Sequence, residues 1–311
     1  MMLINIENLT KNFGDNIAVD NLTLSIEKGE ILGLLGPNGA GKTTTINIIT
    51  SILKPTKGNV EIFGKSLYKY GPEIKARMGI VPQCISLYEN LTVEENISFF
   101  AKLYGLRGAS LRDGLNYALD FTSLQDHKKT KCKNLSGGMQ RRLNIGCAIA
   151  HKPEIIIMDE PTVGIDPQSR NHILNMAKDL NKEGCTIIYT SHYMEEVQQL
   201  CNKIVIMDNG KLIAKGTKDD LISLISDNST LEIEGYDINE SVLEKLLEIK
   251  GVKSYSLNEN KVLITSSKDV SNLSSIINFF TSNNIEIRNM GYKTLDLEDV
   301  FLTLTGKKLR D

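Results

Sequence analysis

Residues 35–45 of this chain of 311 residues read LGPNGAGKTTT. Residues 36–43 fit the pattern G-x-x-x-x-G-K-[S/T]. The pattern comes directly after the short apolar run Ile31–Leu35 and directly before a segment with helical character. A strand, a glycine-rich loop and a helix in this order present successive backbone N–H groups to phosphates. The stretch therefore predicts a site for a nucleoside triphosphate.

Each residue type in this loop fits phosphate chemistry. The residues expected around the phosphates are Gly36, Pro37, Asn38, Gly39, Ala40, Gly41, Lys42 and Thr43. Lys42 should reach the β- and γ-phosphates, and the Thr43 hydroxyl should ligate Mg²⁺. Thr44, next in the helix, can donate to the α-phosphate. The loop alone leaves a GTPase, a kinase and a motor open as alternatives.

A second apolar run ends in two acids. Residues 155–158 read IIIM, and Asp159 and Glu160 follow them. Ligands of an open parallel sheet bind beyond the carboxyl ends of its strands. Asp159 is therefore the expected holder of Mg²⁺, and Glu160 is placed to orient and polarise an attacking water, as in other P-loop NTPases. Residues 202–205 read NKIV and lack the aspartate of the N-K-x-D guanine motif, which disfavours GTP.

Composition and charge exclude several classes of protein. The formal net charge is −2, so neither nucleic-acid binding nor adhesion to anionic membrane by bulk charge is indicated. The five cysteines have no C-x-x-C spacing, which predicts reduced thiols in a cytosolic protein rather than a zinc site. We find no secretory signal and no apolar run of the ~18–20 residues that a membrane-spanning helix needs. Any membrane role is expected to pass through a partner.

The order of predicted elements indicates a doubly wound α/β domain over residues 1–220, with a mostly helical part at about 84–155. In that part, Thr92 and Glu95 form a predicted capping box, and Ser110 is predicted to open the next helix. Residues 226–311 predict a separate small α+β domain. Its order of strand, helix, two strands, helix and strand is that of a ferredoxin-like arrangement. A last helix, capped by Asp296, follows.

Five further positions follow the order and spacing of one known family. Leu135–Met139, LSGGM, is similar to the LSGGQ signature, and Gln83 in GIVPQ resembles the Q-loop glutamine. Asp166 lies in EPTVGIDP, which resembles the D-loop segment, and His192 resembles the switch histidine. Phe13 stands where an aromatic side chain stacks on adenine. Residues 1 to about 220 thus resemble the ATP-binding cassette family, which implies a RecA-like parallel sheet with antiparallel β and helical subdomains.

The resemblance implies that one catalytic site is shared by two chains. The signature residues Ser136, Gly137 and Gly138 would bind the γ-phosphate of ATP held by Lys42 of the other copy, and Asp166 would cross the interface. Within its own chain, Gln83 would contact Mg²⁺ and the attacking water. His192 would hold the γ-phosphate in line with Glu160. The resemblance thus makes Glu160, His192 and Gln83 the catalytic set.

The strings LSGGMQRRL and EPTVGIDPQSR and the final LDLEDVFLTLTG resemble the drug- and antibiotic-export branch of the family. That branch implies a separately encoded membrane permease, a homodimer or a heterodimer with a related ATPase, and a place on the inner face of the cell membrane. The residues of the last helix, Leu297–Leu304, either take part in assembly or regulation or pack on their own sheet. The alternative function is a soluble cassette ATPase in translation or DNA repair.

Overall fold

The computed structural model describes residues 1–225, 228–236, 238, 240–258, 260–293 and 295–306. They form two compact units, residues 1–218 and residues 219–306. Parts of the predicted C-terminal domain, among them residues 226–227 and 307–311, lie outside the described residues. The assignment of the units as an ATPase domain and an accessory domain stays a prediction.

The first unit contains ten strands and most of the helices. The strands are β1 (Met2–Phe13), β2 (Asn16–Glu27), β3 (Ile31–Leu35), β4 (Lys57–Ile62), β5 (Lys65–Ser66), β6 (Met78–Val81), β7 (Ile155–Asp159), β8 (Thr186–Ser191), β9 (Lys203–Asp208) and β10 (Lys211–Gly216). The helices are α1 (Lys42–Ile49), α2 (Gly71–Lys75), α3 (Val93–Leu103), α4 (Gly108–Phe121), α5 (Gly137–Ile149), α6 (Pro167–Lys182), α7 (Met194–Leu200) and α8 (Lys218–Ser223), the last of which reaches into the second unit. Short 3₁₀ turns lie at Gln125–His127 and Cys132–Asn134.

Two sheets organise the first unit. An antiparallel sheet has the order β2-β1-β4-β5. A larger sheet has the order β10-β9-β3-β8-β7-β6, in which β9, β3, β8, β7 and β6 are parallel and β10 is an antiparallel edge. This confirms the predicted P-loop NTPase sheet with an antiparallel β subdomain.

β3 is apolar throughout, and β7 is apolar up to its last residue, Asp159, because helices or the antiparallel sheet cover both faces of these strands. In β7, Ile155 and Ile157 pack in the apolar cluster that includes β1, β2 and α1. Ile156 and Met158 pack in the other cluster, with residues of α3, α4, α5 and α6. The alternation shows why polar residues first occur where the strand ends, at the edge where a ligand can bind.

The capping box predicted before α3 is confirmed. Thr92 Oγ1 accepts a hydrogen bond from Glu95 N, and the Glu95 carboxylate accepts one from Thr92 N. The predicted start of the next helix at Ser110 is wrong, since α4 begins at Gly108. Ser110 lies in the first turn, and its hydroxyl accepts a hydrogen bond from the backbone N–H of Arg107, so the capping residue is inside the helix rather than at its start.

The second unit has the predicted order of elements. They are β11 (Asn228–Gly235), α9 (Glu240–Leu243) with a 3₁₀ turn at Glu244–Glu248, β12 (Val252–Asn258), β13 (Lys261–Ser267), α10 (Leu273–Ser282), β14 (Ile287–Lys293) and α11 (Leu297–Thr305). The sheet order is β12-β13-β11-β14, with antiparallel neighbours throughout. The hairpin of β12 and β13 and the two helices that connect the other strands give the ferredoxin-like arrangement that the sequence predicts.

The last helix buries its apolar face within the chain. The Asp296 carboxylate caps α11 by accepting hydrogen bonds from two backbone N–H groups. Leu297, Val300 and Phe301 are fully buried, whereas Leu302 is 44% exposed. These three side chains are therefore already covered, which favours packing over a free docking surface. Within the described residues, no helix is long and apolar enough to cross a membrane.

Replacing Phe280 of α10 tests the core of the second unit. Phe280 is fully buried among residues of β11 and β13. We expect Phe280→Ala to lower the free energy of unfolding of this unit by about 3–5 kcal/mol, because a large apolar side chain leaves a cavity. Native-state hydrogen exchange of the β11 and β13 amides measures the loss. Leu302→Ala, at an exposed site, is the control, and equal protection in both variants would contradict this account of the core.

Candidate nucleotide-binding site

A cavity of about 600 Å³ opens at the carboxyl end of β3. It has the size of a small-molecule site. The side chains and backbone that line it come from β1, β2, the loop before α1, and the ends of β6, β7 and β9. The lining residues are Phe13, Asn16, Ile17, Ala18, Pro37, Asn38, Gly39, Ala40, Gly41, Lys42, Thr43, Thr44, Gln83, Glu160 and Asn209.

Lys42 is the cation of this cavity, and it is held by the loop itself. Its Nζ donates to the carbonyl oxygens of Gly36 at 2.6 Å and Pro37 at 3.1 Å. Burial lowers the pKa of Lys42, while the charges of Glu160 and Asp159 oppose that shift. Two carboxylates therefore lie close enough to act on the ammonium, which places an anion-binding lysine beside acidic groups at one edge of the sheet.

Two positions of the loop before α1 leave no room for a side chain and therefore require glycine. Gly41 has φ 97°, and a Cβ there would lie 2.5 Å from the carbonyl oxygen of Ala18. A Cβ on Gly36 would lie 2.4 Å from the carbonyl oxygen of Met207. The loop thus packs directly on the backbone of β2 and β9, which holds its N–H groups in one conformation. Sequence reasoning missed Ala18 because the contact is made by its backbone.

The two carboxylates after β7 are held by the neighbouring strand. Thr190 of β8 donates its hydroxyl hydrogen to Asp159 Oδ1 at 2.6 Å, and its Oγ1 accepts from Glu160 N at 2.9 Å. The carbonyl oxygen of Thr190 also accepts from Glu160 N, at 3.2 Å. Thr190 is fully buried. The sequence does not predict this role, because nothing in the pattern of β8 shows that its Thr190 binds the acidic residues at the end of β7.

Glu160 contacts the two other residues of the predicted catalytic set. Its backbone has φ 45°, a left-handed conformation that is uncommon for a side chain of this size. Its Oε2 accepts a hydrogen bond from Gln83 Nε2 at 3.0 Å and lies 3.6 Å from His192 Nδ1. The structure thus brings together Gln83, Glu160 and His192, which lie far apart in the sequence.

The signature residues lie at a different place. None of Ser136, Gly137, Gly138 or Asp166 is among the described residues that line the cavity. Ser136 caps α5 and accepts from Met139 N at 3.3 Å, and Asp166 caps α6 and accepts from Ser169 N at 2.9 Å. The signature residues and the cavity are therefore separate within one chain.

Arg141 of α5 follows the signature residues and fixes this helix to the segment that carries Gln83. Arg141 is buried, and its guanidinium donates to the carbonyl oxygens of Pro82 at 2.8 Å and Gln83 at 2.6 Å. Two backbone carbonyls thus accept from this buried cation, whose Nε has no hydrogen-bond partner among the described residues. The contact fixes the backbone of Gln83 to the helix that follows the signature.

Phe13 lies on the rim of the cavity. It ends β1, is 47% exposed, and lines the cavity together with Ile17 on the adjacent strand. The ammonium of Lys11 lies 5.0 Å from the centre of the Phe13 ring. An exposed aromatic face at a rim of this kind can receive a planar base by stacking.

Together the fold and the cavity define a P-loop NTPase. Residues 19–163 match the ABC transporter family. The chain is 42% identical to the linearmycin resistance ATP-binding protein of Bacillus subtilis, over 99% of this chain and all of that protein. It is 34% identical to the Nod factor export ATP-binding protein I of Ralstonia nicotianae, over 99% of this chain and 95% of that protein.

Solved structures give the same result for the fold. An ATP-binding subunit of an ABC transporter matches with a TM-score of 0.66 and 30% identity, over 72% of this chain and 93% of that one. A dimeric ATP-binding cassette in a post-hydrolysis state with ADP and Pi matches with a TM-score of 0.62 and 28% identity, over 69% of this chain and 98% of that one.

This chain belongs to the ABC transporter family, as an ATP-binding subunit with ATPase activity that powers transport. The alternative of an ATPase in translation or DNA repair is not favoured, because the full-length relatives are named for resistance and export. The roles of the individual site residues stay predictions.

The two signature glycines differ in the space around them, so alanine variants at these positions should differ in stability. A Cβ on Gly138 would lie 2.2 Å from Ser169 Oγ and 2.8 Å from Ser169 Cβ, whereas a Cβ on Gly137 meets no atom within 4 Å. We expect Gly138→Ala to destabilise the chain by about 1–3 kcal/mol through overpacking. Gly137→Ala, the matched control, should be neutral or stabilise the helix by less than about 1 kcal/mol. Urea unfolding measures both, and equal midpoints would contradict the close packing of α5 against α6.

Proposed function

We propose that this chain is the ATP-hydrolysing subunit of an exporter for drugs, antibiotics or other amphipathic compounds. The support is the likeness to the linearmycin resistance protein and the Nod factor export protein, which extends over 99% of the chain and so includes the second unit. Because both relatives are named for resistance or export, export is the direction that we assign.

The observation that carries the proposed mechanism is the meeting of Gln83 and His192 on one oxygen of Glu160, at the edge of the cavity that holds Lys42. A water beside Glu160 would be oriented for in-line attack on the γ-phosphorus. Lys42 would then neutralise charge on the β- and γ-phosphates. His192 would keep the γ-phosphate and Glu160 in line, and Phe13 would stack on adenine.

The donor set at the carboxyl ends of β6 and β7 fits Mg²⁺. Thr43, Gln83 and Asp159 offer a hydroxyl, an amide and a carboxylate oxygen, the hard ligands that this ion prefers. Among the described residues there is no group of three or more His, Cys, Asp or Glu that could hold a metal by itself. An ion shared with substrate phosphates fits this arrangement, since Mg²⁺ binds by one or two carboxylates together with phosphates. When bound, it would neutralise charge on the transferred phosphoryl group.

The separation of the signature from the cavity supports a head-to-tail dimer. Ser136 and Gly137 at the start of α5 are exposed, and together with the buried Gly138 they would form a phosphate site without a P-loop beside it. A second copy, or a related ATPase, would bring its own nucleotide to this site, and Asp166 would cross the same interface. Hydrolysis would remove the γ-phosphate that joins the halves, which would let the dimer open.

A separately encoded permease is the proposed membrane partner. Beyond Gln83, the side chains of Ile85 and Tyr88 are exposed, on the segment that the family resemblance turns toward that partner. The chain would then lie on the inner face of the cell membrane. We assign no nucleic-acid partner, in keeping with the net charge of −2.

Replacing Glu160 tests the reaction centre. We expect Glu160→Gln to lower ATP turnover by roughly 10²–10³-fold, as is typical when one positioned charge-stabilising group is lost. ATP affinity should persist because Lys42 is untouched, and the chain should stay dimeric in ATP. Phosphate release measures the turnover, and light scattering measures whether the chain stays dimeric. Glu154→Gln, at the other end of β7, is the matched control, and near-normal turnover by Glu160→Gln would remove Glu160 from its assigned role.

Co-purification tests the transport assignment. We expect the tagged chain, extracted in mild detergent, to bring down a membrane protein in fixed proportion. Amphipathic compounds should raise the ATP turnover of that complex, whereas small polar solutes should not. Recovery of ribosomes or DNA instead of a membrane protein would contradict the assignment.

A further inference from the structure

Glu196 is a buried carboxylate with an unusual set of partners. It lies in α7 and is 2% exposed. One of its oxygens, Oε2, accepts hydrogen bonds from three hydroxyl groups. The donors are Thr162 Oγ1 at 2.8 Å, Tyr189 OH at 2.9 Å and Ser191 Oγ at 2.8 Å. Three hydroxyls from two separate segments, the turn after β7 and the end of β8, therefore converge on one atom.

The three donors belong to the segments that carry Glu160 and His192. Thr162 lies in the turn two residues after Glu160, and Ser191 directly precedes His192. The oxygen of Ser191 also accepts from the backbone N–H of Tyr193, at 2.9 Å, so both neighbours of His192 are in the same network. A single carboxylate thus ties the end of β7 to the end of β8.

The other carboxylate oxygen faces a cation from a third segment. Arg170 Nε lies 3.4 Å from Glu196 Oε1, and the two side chains form an ion pair that is largely buried. Among the described residues, neither atom has a hydrogen-bond partner. The Arg170 guanidinium also lies 4.5 Å from the centre of the Tyr193 ring. Arg170 is in the first turns of α6, the helix that Asp166 caps.

This arrangement requires a carboxylate rather than an amide. Burial raises the pKa of the Tyr189 hydroxyl, which therefore remains a donor. A glutamine at 196 would have one oxygen and one NH₂ group. In either orientation, the NH₂ group would face the three hydroxyl donors or the Arg170 cation. A buried polar group left facing donors is costly, so the segments would have to move apart.

We propose that Glu196 is a positioning residue that holds Glu160 and His192 in the geometry for ATP hydrolysis and, through Arg170, links them to the segment that begins at Asp166. This rests on the proposed roles of Glu160 and His192. Glu196 itself is not among the described residues that line the cavity, so it would not touch a nucleotide bound there. Displacement of the Asp166 segment at a dimer interface would thus displace Glu160 and His192 of the same chain.

Glu196→Gln in the full-length chain tests the proposal. We expect kcat to fall at least about tenfold, because a displacement of about 1 Å at a catalytic group has effects of this size or larger. ATP affinity, measured by titration with a fluorescent ATP analogue, should change less than about twofold because Lys42 and its loop are untouched. Glu195→Gln makes the same chemical change at the adjacent exposed residue of α7 and should match the wild type.

Thr162→Val keeps the side chain's shape and removes one of the three donors. We expect an intermediate loss of kcat from it, and a combined loss with Glu196→Gln that is smaller than the product of the two single losses, since both act on one network. The thermal unfolding transition of Glu196→Gln shows whether that variant folds. If it does not fold, Thr162→Val still tests the proposal.

Two outcomes would overturn the proposal. One is unchanged kcat per folded molecule in Thr162→Val and Glu196→Gln. The other is a loss of ATP affinity and stability together, which would indicate a purely structural carboxylate. Glu160→Gln is run in parallel: if it retains turnover, the proposed reaction centre fails, whereas if it is inactive while Glu196→Gln keeps full kcat, the inference alone fails.

Discussion

Thr190 makes the interaction on which the geometry around Glu160 depends. Its hydroxyl donates to Asp159 and accepts from the backbone N–H of Glu160, at 2.6 and 2.9 Å. Glu160 can therefore hold φ 45°, a conformation that costs on the order of 1–3 kcal/mol and persists only where the surroundings fix it. In that conformation the carboxylate meets Gln83 and His192. A relaxed backbone would direct it elsewhere, and the two partners would lose their common contact.

Much of the fold follows from local sequence signals. The loop at residues 36–43, the capping box before α3 and the ferredoxin-like order of the second unit all depend on residues that are close together in the chain. The meeting of Gln83, Glu160 and His192 does not. No spacing rule predicts it, and it was expected only because the motifs resemble those of a known family.

The residues that sequence reasoning missed act across long separations. Thr190 looks like an ordinary residue of β8, and Glu196 looks like an ordinary polar residue of α7. Arg141 has the pattern of an exposed helical residue, because a sequence does not show that backbone carbonyls of Pro82 and Gln83 will accept from its guanidinium. Ala18 acts through its carbonyl oxygen and so has no side-chain signal at all. Such contacts become visible only when the strands are assembled.

The chain has a phosphate-binding loop of its own and, apart from it, a helix start that we propose binds the phosphate held by a second chain. The central claim is that two chains share each reaction site. Mixing Glu160→Gln chains with Ser136→Arg chains tests it most directly, because each variant alone lacks one half of every site. We predict that the mixture hydrolyses ATP well above the sum of the separate variants, since a mixed pair contains one intact site. A mixture that stays at that sum at every ratio would contradict the account.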